Sequence, residues 1–476
     1  MNNFDALDLA WSAAKEWLAG LDDRPVVAAA SLEELRRRLG GPLQSKGECA
    51  KDVIEHLLGS VKDGVLGCAS GRFFAWVIGG SHPSALAADW LTSTWDQNAA
   101  LYACGPAASV LEEIAGGWIK ELLHLPTEAS FAFTTGCQLA HFTCLAAARA
   151  SVLEQAGWNV NEDGLCGAPG IRVLASEHRH GSIDRAVRFL GIGNRSLESI
   201  GVDRTGSIEP TALRAALRKS RQPTIVILSA ADLNIAAFDP FEQLIPAARQ
   251  AGAWVHVDGA FGLFSRASSR FRHLTDGIEH ADSWATDAHK WLNVPFDCGM
   301  AIVRDRVAHR NAMTISASYI AAESNARDQI DWNPEWSRRA RGIPVYAALR
   351  ELGRDGVAEL VERTSAHCWR LVTEIGKLPG AQMLWEPTLN QGLVRFLDSD
   401  PAAADADHDR KTDAIIGKVN AGGEAFFSGT TWRGMRAMRV SVVNWRTSEQ
   451  DVARAIAAVR DALVGPEVIS NAEKTG

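Results

Sequence analysis

Short apolar runs recur through the middle of this chain, separated by stretches of helical period, and that alternation restricts its fold more than any other feature. Ile171-Arg-Val-Leu-Ala175, Thr224-Ile-Val-Ile-Leu-Ser229, Trp254-Val-His-Val-Asp258 and Gly299-Met-Ala-Ile-Val303 each have the length of a buried strand. Strands covered on both faces carry near-continuous apolar residues, and helical crossovers make them parallel neighbours. The pattern predicts an α/β fold: a mostly parallel central sheet with helices on both faces. Further on, Gly392-Leu-Val-Arg-Phe396 and Met438-Arg-Val-Ser-Val-Val443 alternate as strands with one buried face do.

A strand that ends in an acid followed by small residues delivers a carboxylate to the carboxyl edge of a sheet, where open α/β sheets bind ligands. Asp258, followed by Gly259-Ala260, fits that description. The stretch Ala281–Gly299 then sets Lys290 between His289 and Trp291. Each alone has a plain structural reading, a turn aspartate or a lysine stem laid on a ring. The pair meets both needs of pyridoxal 5′-phosphate (PLP), whose aldehyde requires an amine and whose ring nitrogen requires an acidic partner that keeps it protonated. Burial in a partly apolar pocket is expected to disfavour the ammonium form of Lys290 and so free the nucleophile.

Phe131–Arg149 reads as an extended run, a glycine turn and a helix with Leu139, Phe142 and Ala146 on one face. The amides at such a helix start form an anion site suited to the cofactor phosphate, with Gly136, Cys137 and Gln138 holding it. Residues 129–148 carry no formal charge, but Thr134, Thr135, Gly136, Gln138 and His141 interrupt the apolarity, so a buried cofactor-facing helix is expected and not a membrane span.

Among 476 residues the net charge is −8, with no long basic run, which excludes nucleic acid as a partner on electrostatic grounds. The eight cysteines form no C-x-x-C pair and no zinc-spaced cluster with histidine, so reduced thiols, no structural metal and a cytoplasmic setting are expected. Met1–Leu21 carries Asp5 and Asp8 where a signal peptide would be basic. Instead Leu7, Ala10, Trp11, Ala14, Trp17 and Leu18 follow helical spacing, Pro25 ends the pattern, and Ser31-Leu-Glu-Glu34 reads as the capped start of a further helix.

With these residues in view the chain resembles the group II PLP-dependent amino-acid decarboxylases, the family of aromatic-L-amino-acid, histidine and glutamate decarboxylases. The shared blocks are His256-Val-Asp-Gly-Ala260, Ala281-Asp-Ser283 with His289-Lys-Trp291, and Phe296-Asp-Cys298, with others from about residue 24 to 451. The resemblance implies PLP fold type I, the aspartate-aminotransferase-like fold, in a homodimer whose active sites lie near the subunit interface. It implies an N-terminal segment 1–70 that wraps the partner, a large PLP-binding domain 71–345 and a small α+β domain 346–476. Lys290 anchors the cofactor, Asp258 meets its ring nitrogen, and His180 stacks on the ring and exchanges protons at the reacting carbon. Ala260, His289, Asn234 and Asp287 join Gly136, Cys137 and Gln138 in holding it. Phe73, Trp76, Val77, Leu101, Tyr102 and Trp332 form the substrate pocket, which favours an aromatic or bulky side chain; Arg72 is the basic residue that an acidic substrate would need. The implied reaction removes the α-carboxylate of an L-amino acid as carbon dioxide and leaves an amine.

Several positions depart from the family, Leu139 among them, where relatives often have an acid. Gln138 stands where relatives have Ser or Thr, and Asp287 where they often have Asn. An acid beside a phosphate is costly unless it bonds His289 or an amide. Between about Asn311 and Trp336 the family carries a mobile loop with a proton-donating tyrosine, yet here Tyr319 lies early and Trp332 near the loop tip has no phenol. In related enzymes loss of that tyrosine goes with aldehyde-forming oxidative chemistry. An aldehyde synthase, another PLP lyase or aminotransferase, and a catalytically silent scaffold are therefore the alternatives.

Overall fold

The computed structural model describes residues 4–314 and 326–465. They fall into two compact units, Gly79–Trp369 with Pro387–Gly392, and Met1–Ile78 with Arg370–Glu386 and Leu393–Gly476.

The larger unit is built on seven strands: β1 Ser130–Thr134, β2 Arg172–Ser176, β3 Leu197–Ile200, β4 Thr224–Ser229, β5 Trp254–Asp258, β6 Ser283–Asp287 and β7 Gly299–Val303. Their order is β1-β7-β6-β5-β4-β2-β3. From β3 to β6 every pairing is parallel. β7 runs antiparallel to both β6 and β1. The mostly parallel sheet expected from the apolar runs is present, with β7 reversed. The helix Cys137–Glu154 lies on it through Ala140, Cys144, Leu145, Ala147 and Ala148, against Val173, Ile225, Ile227, Ala285 and Ala301. Small residues on that helix face let its backbone approach the sheet closely, which fixes where its first turn lies.

In the other unit, Ser31 and Glu34 form the expected reciprocal cap on the helix Leu32–Leu39. Four further strands, β8 Ala381–Trp385, β9 Gln391–Phe396, β10 Ser428–Trp432 and β11 Met435–Ser441, form a sheet of order β10-β11-β9-β8. The expected boundaries at 70/71 and 345/346 are drawn differently here. Met1–Ile78 clusters with the C-terminal segments, and one long helix, Gly342–Gly376, interrupted at Gly353, runs through the second boundary. The cause lies in residues 72–74. The Phe74 amide donates to the Phe426 carbonyl at 2.8 Å, the Ser441 amide to Phe74 at 3.0 Å, and Phe73 and Phe74 stack on Phe426 and Phe427.

Arg72 takes part in the same junction. It is 1 % exposed, and its guanidinium donates to the carbonyls of Glu424, Asp22 and Arg24 at 2.6, 3.0 and 2.8 Å. It is a structural clamp on the segments around Asp22–Arg24 and Glu424, which corrects the expectation that it stood ready for an acidic substrate.

Candidate active site

Strand register brings the site together. Asp258 pairs with Ala285, while Asp287 and Thr134 both pair with Gly299. The ends of β1, β5 and β6 therefore reach the same edge of the sheet, and each continues into a functional segment: Gly136-Cys137 after β1, Gly259-Ala260 after β5, and Ala288-His289-Lys290 after β6. The Asp287 amide donates to the Ala260 carbonyl, joining the segments after β5 and β6, and the Ala260 amide donates to Oδ1 of Asp258.

Asp287 is central to this edge. Its Oδ2 lies 3.1 Å from Nζ of Lys290, and its Oδ1 accepts from the Cys137 amide at 2.6 Å and lies 3.7 Å from Nε2 of His289. The requirement that an acid here bond an amide is met, because the carboxylate sits on the first amide of the helix Cys137–Glu154. The effect on Lys290 reverses an expectation. Burial alone would lower its pKa, but Asp287, with Cys137 and Asp258, outweighs burial and holds the ammonium above the ordinary lysine range. Without cofactor, Lys290 is thus an ion-paired cation and not a neutral amine.

Asp258 behaves in the opposite sense. Burial favours its neutral form, yet the fields of His141, His180 and Lys290 hold the carboxyl below its usual range. An ionised carboxylate at a strand end is what a protonated ring nitrogen requires. His180 caps the helix Gly181–Phe189, accepting from the Ser182 amide at 3.2 Å, with its Nδ1 2.7 Å from Oγ of Ser182. Gln138 reaches the same turn and donates from Nε2 to the Ser182 carbonyl at 3.2 Å. His289 accepts at Nδ1 from the Cys298 amide at 3.1 Å and lies against the Phe296 ring.

The residues present fit PLP. An amine, an ionised carboxylate and a helix start converge, and glycines keep the approach narrow. Gly136 has φ 140° and ψ 173°, a backbone region open only to glycine. A Cβ on Gly79 would stand 2.4 Å from the Lys290 carbonyl oxygen, and one on Gly299 2.3 Å from the Gly136 backbone. Asp287 already sets a carboxylate on the Cys137 amide, at the helix start where a phosphate would otherwise be favoured.

Other expected site residues are placed less uniformly. Leu101 precedes the short 3-10 turn opened by Tyr102, whose amide donates to Oδ1 of Asp328 at 2.8 Å. Phe73, Trp76 and Val77 belong to the smaller unit. Trp76 and Val77 carry φ of 55° and 57° and lie in a strained turn. Asn234 lies on the loop after β4, its amide donating to Oδ1 of Asp232 at 2.8 Å. Trp332 is a correction. It is 8 % exposed and packs on His309 between Arg306 and Arg327, while His309 bonds Ser130 at the end of β1 away from Thr134. Burying a large indole against His309 outweighs presenting it to a substrate. Tyr319 lies outside the described residues. Sequence reading passed over His141, which the fold places beside Asp258. The signal was its position four residues after Cys137, on the face of the helix that Cys137 turns toward the sheet edge.

A fold type I sheet with an amine and a carboxylate at the carboxyl edge, and a helix start beside them, defines a PLP-dependent enzyme. The family described as the pyridoxal-dependent decarboxylase conserved domain matches residues 33–397, and the chain belongs to it. Among curated relatives, the aromatic-L-amino-acid decarboxylase of Bacillus atrophaeus is 24% identical over 440 residues, covering 91% of this chain and 89% of its own. The 4-hydroxyphenylacetaldehyde synthase of Rhodiola rosea is 25% identical over 447 residues, with coverage of 91% and 89%. Among solved structures, Oryza sativa TDC with PLP and tryptamine superposes with a TM-score of 0.90 at 22% identity, covering 97% of this chain and 98% of that one. The cofactor is PLP and the enzyme a carboxy-lyase.

Proposed function

We propose that this chain removes the α-carboxylate of an aromatic L-amino acid and releases the amine, acting as a cytoplasmic homodimer. The observation that carries the reading is the convergence of Lys290, an ionised Asp258 and His180 at one sheet edge. Bound PLP supplies an electron sink for the pair left on the α-carbon when carbon dioxide departs. Lys290 anchors the cofactor, and Asp258 holds positive charge at the ring nitrogen. Ala260 orients Asp258 through its amide. His180, fixed by Ser182, stands as the group that returns a proton to the α-carbon. Gly136, Cys137, Gln138 and His289 take the phosphate end, with Asn234 and Asp287 beside it. An aromatic substrate is supported by the relative from Bacillus atrophaeus, which is named as an aromatic-L-amino-acid decarboxylase. The dimer is supported by the helix Asp5–Ala19, which buries no residue and leaves Leu7 and Trp11 more than half exposed.

A second reading is favoured by a count. The chain has three tyrosines, Tyr102, Tyr319 and Tyr346, so no phenol lies between Ile320 and Val345 to protonate the α-carbon. The relative from Rhodiola rosea is named as an aldehyde synthase. Incubation of the PLP-loaded protein in air with a panel of L-amino acids, with amine, aldehyde, carbon dioxide and peroxide measured together, decides between them. The expected products are amine and carbon dioxide in equal amounts without peroxide. Aldehyde with stoichiometric peroxide would establish the second reading instead.

A further inference from the structure

Behind Asp258 lies a line of buried polar groups that the decarboxylation chemistry leaves unused. His141 turns Nε2 toward Oδ2 of Asp258 at 3.6 Å and toward Sγ of Cys137 at 3.4 Å. Its Nδ1 is 2.9 Å from Nε2 of His256, and Nδ1 of His256 is 2.9 Å from Oγ of Ser283, which accepts from Nε1 of Trp254 at 2.9 Å. His141, His256 and Ser283 are all 0 % exposed. Local structure explains the line. His141 is one turn into the helix that opens at Cys137, His256 and Asp258 share a face of β5 through the two-residue repeat, and Ser283 is the register partner of His256 on β6.

The donor inventory gives this line a direction. Trp254 can only donate, so Ser283 accepts from it and has its hydroxyl proton available for Nδ1 of His256. His256 then carries its proton on Nε2 and donates to Nδ1 of His141, which leaves His141 with an N–H on Nε2, facing the carboxylate. The reverse arrangement would set a lone pair against a buried anion. Burial holds both imidazoles below the ordinary histidine range, so at neutral pH they act as aligned dipoles that polarise one another. Cys137, His141 and Asp258 also have ligand atoms within 4.8 Å of one another. Burial, with Asp287 and Asp258, holds the Cys137 thiol well above its usual range, and a protonated thiol is a poor metal ligand.

We propose that His141 is a positioning residue, which with His256 and Ser283 behind it fixes the Asp258 carboxylate in its ionised form and so keeps the cofactor ring nitrogen protonated. The proposal rests on Asp258 being the ring-nitrogen partner. The other titratable groups near His141 and Asp258 are Cys137, His180 at its helix cap, and Asp287 and Lys290 after β6; His256 and Ser283 lie on the far side of His141 from the carboxylate.

The test is 15N NMR of protein loaded with cofactor labelled at the ring nitrogen, titrated with base, alongside steady-state kinetics. In His141→Leu the ring nitrogen is expected to lose its proton at a pH at least about one unit below wild type, with kcat down roughly 10- to 100-fold and KM changed little, the size usual for such supporting contacts. His141→Gln, which can still donate, should recover most of both. Ser283→Ala should shift the titration in the same direction by less, and it decides the matter if His141→Leu does not fold. An unshifted ring-nitrogen titration in His141→Leu and Ser283→Ala would overturn the proposal. Asp258→Asn separates the two levels: a shifted titration there with none in the His141 variants refutes only the relay, while an unshifted one refutes Asp258 as the partner.

Discussion

At the scale of single residues, Lys290 and Asp258 could be singled out as a candidate pair because the chemistry they offer is written in residue type. What surrounds them was not. The sequence shows that Asp287 is acidic, but only the strand register shows that its carboxylate lies on both the Cys137 amide and the Lys290 ammonium. A unit charge about 4 Å from another is worth about 1 kcal/mol even in a water-like medium. Asp287→Asn is therefore expected to tighten PLP binding roughly five-fold, measured by fluorescence titration of the apoprotein; weaker binding would mean that Asp287 orients the site more than it opposes the phosphate. His141 was passed over because a lone histidine on an apolar helix reads as core, and its partner His256 is distant in the chain. Trp332 shows the reverse error, since an indole in a loop matching a catalytic loop suggests a pocket while the fold buries it. Trp332→Phe should leave the product and kcat within about two-fold and lower stability by roughly 1–2 kcal/mol, seen by urea unfolding. A change from amine to aldehyde in that variant would return Trp332 to the site.

At the scale of elements, the apolar runs gave β2, β4, β5 and β7 directly, and the glycine turn gave the helix at Cys137. The reversal of β7 was not legible, because a buried antiparallel strand between two others has the same composition as a parallel one. That reversal places Gly299 beside Gly136, where a Cβ would meet three backbone atoms at 2.3, 2.6 and 2.8 Å. Backbone cannot yield as a side chain tip does, so Gly299→Ala is expected to displace the first turn of the helix and cost about 1–3 kcal/mol. The measurable result is poor PLP retention on gel filtration together with a lowered melting temperature. Normal retention would show that the close approach of β7 is not needed for cofactor binding.

For the molecule as a whole, pairing of the N-terminal segment with the C-terminal ones escaped sequence reading, because its contacts join residues 72–74 to 426, 427 and 441, far apart in the chain. Stability against acid is also a whole-molecule property. Burial and Arg327 lower the pKa of His309 from the ordinary 6.5 to about 3, so the folded protein keeps it neutral where the unfolded chain protonates it. Its contribution is present in full above the unfolded pKa and is lost as pH falls toward the folded one, at about 1.4 kcal/mol per pH unit. His309→Gln should flatten the fall in stability between neutral and acid pH, measured by urea unfolding at several pH values; an unchanged slope would assign acid sensitivity to other groups. The central claim is that Lys290 anchors the cofactor at the edge shared by β5 and β6. Borohydride reduction of the PLP-loaded protein, followed by peptide mapping by mass spectrometry, tests it most directly. The expected result is a pyridoxyl group on the peptide that carries Lys290, at that lysine alone. A stable adduct on another lysine, or a loaded protein with none, would contradict it.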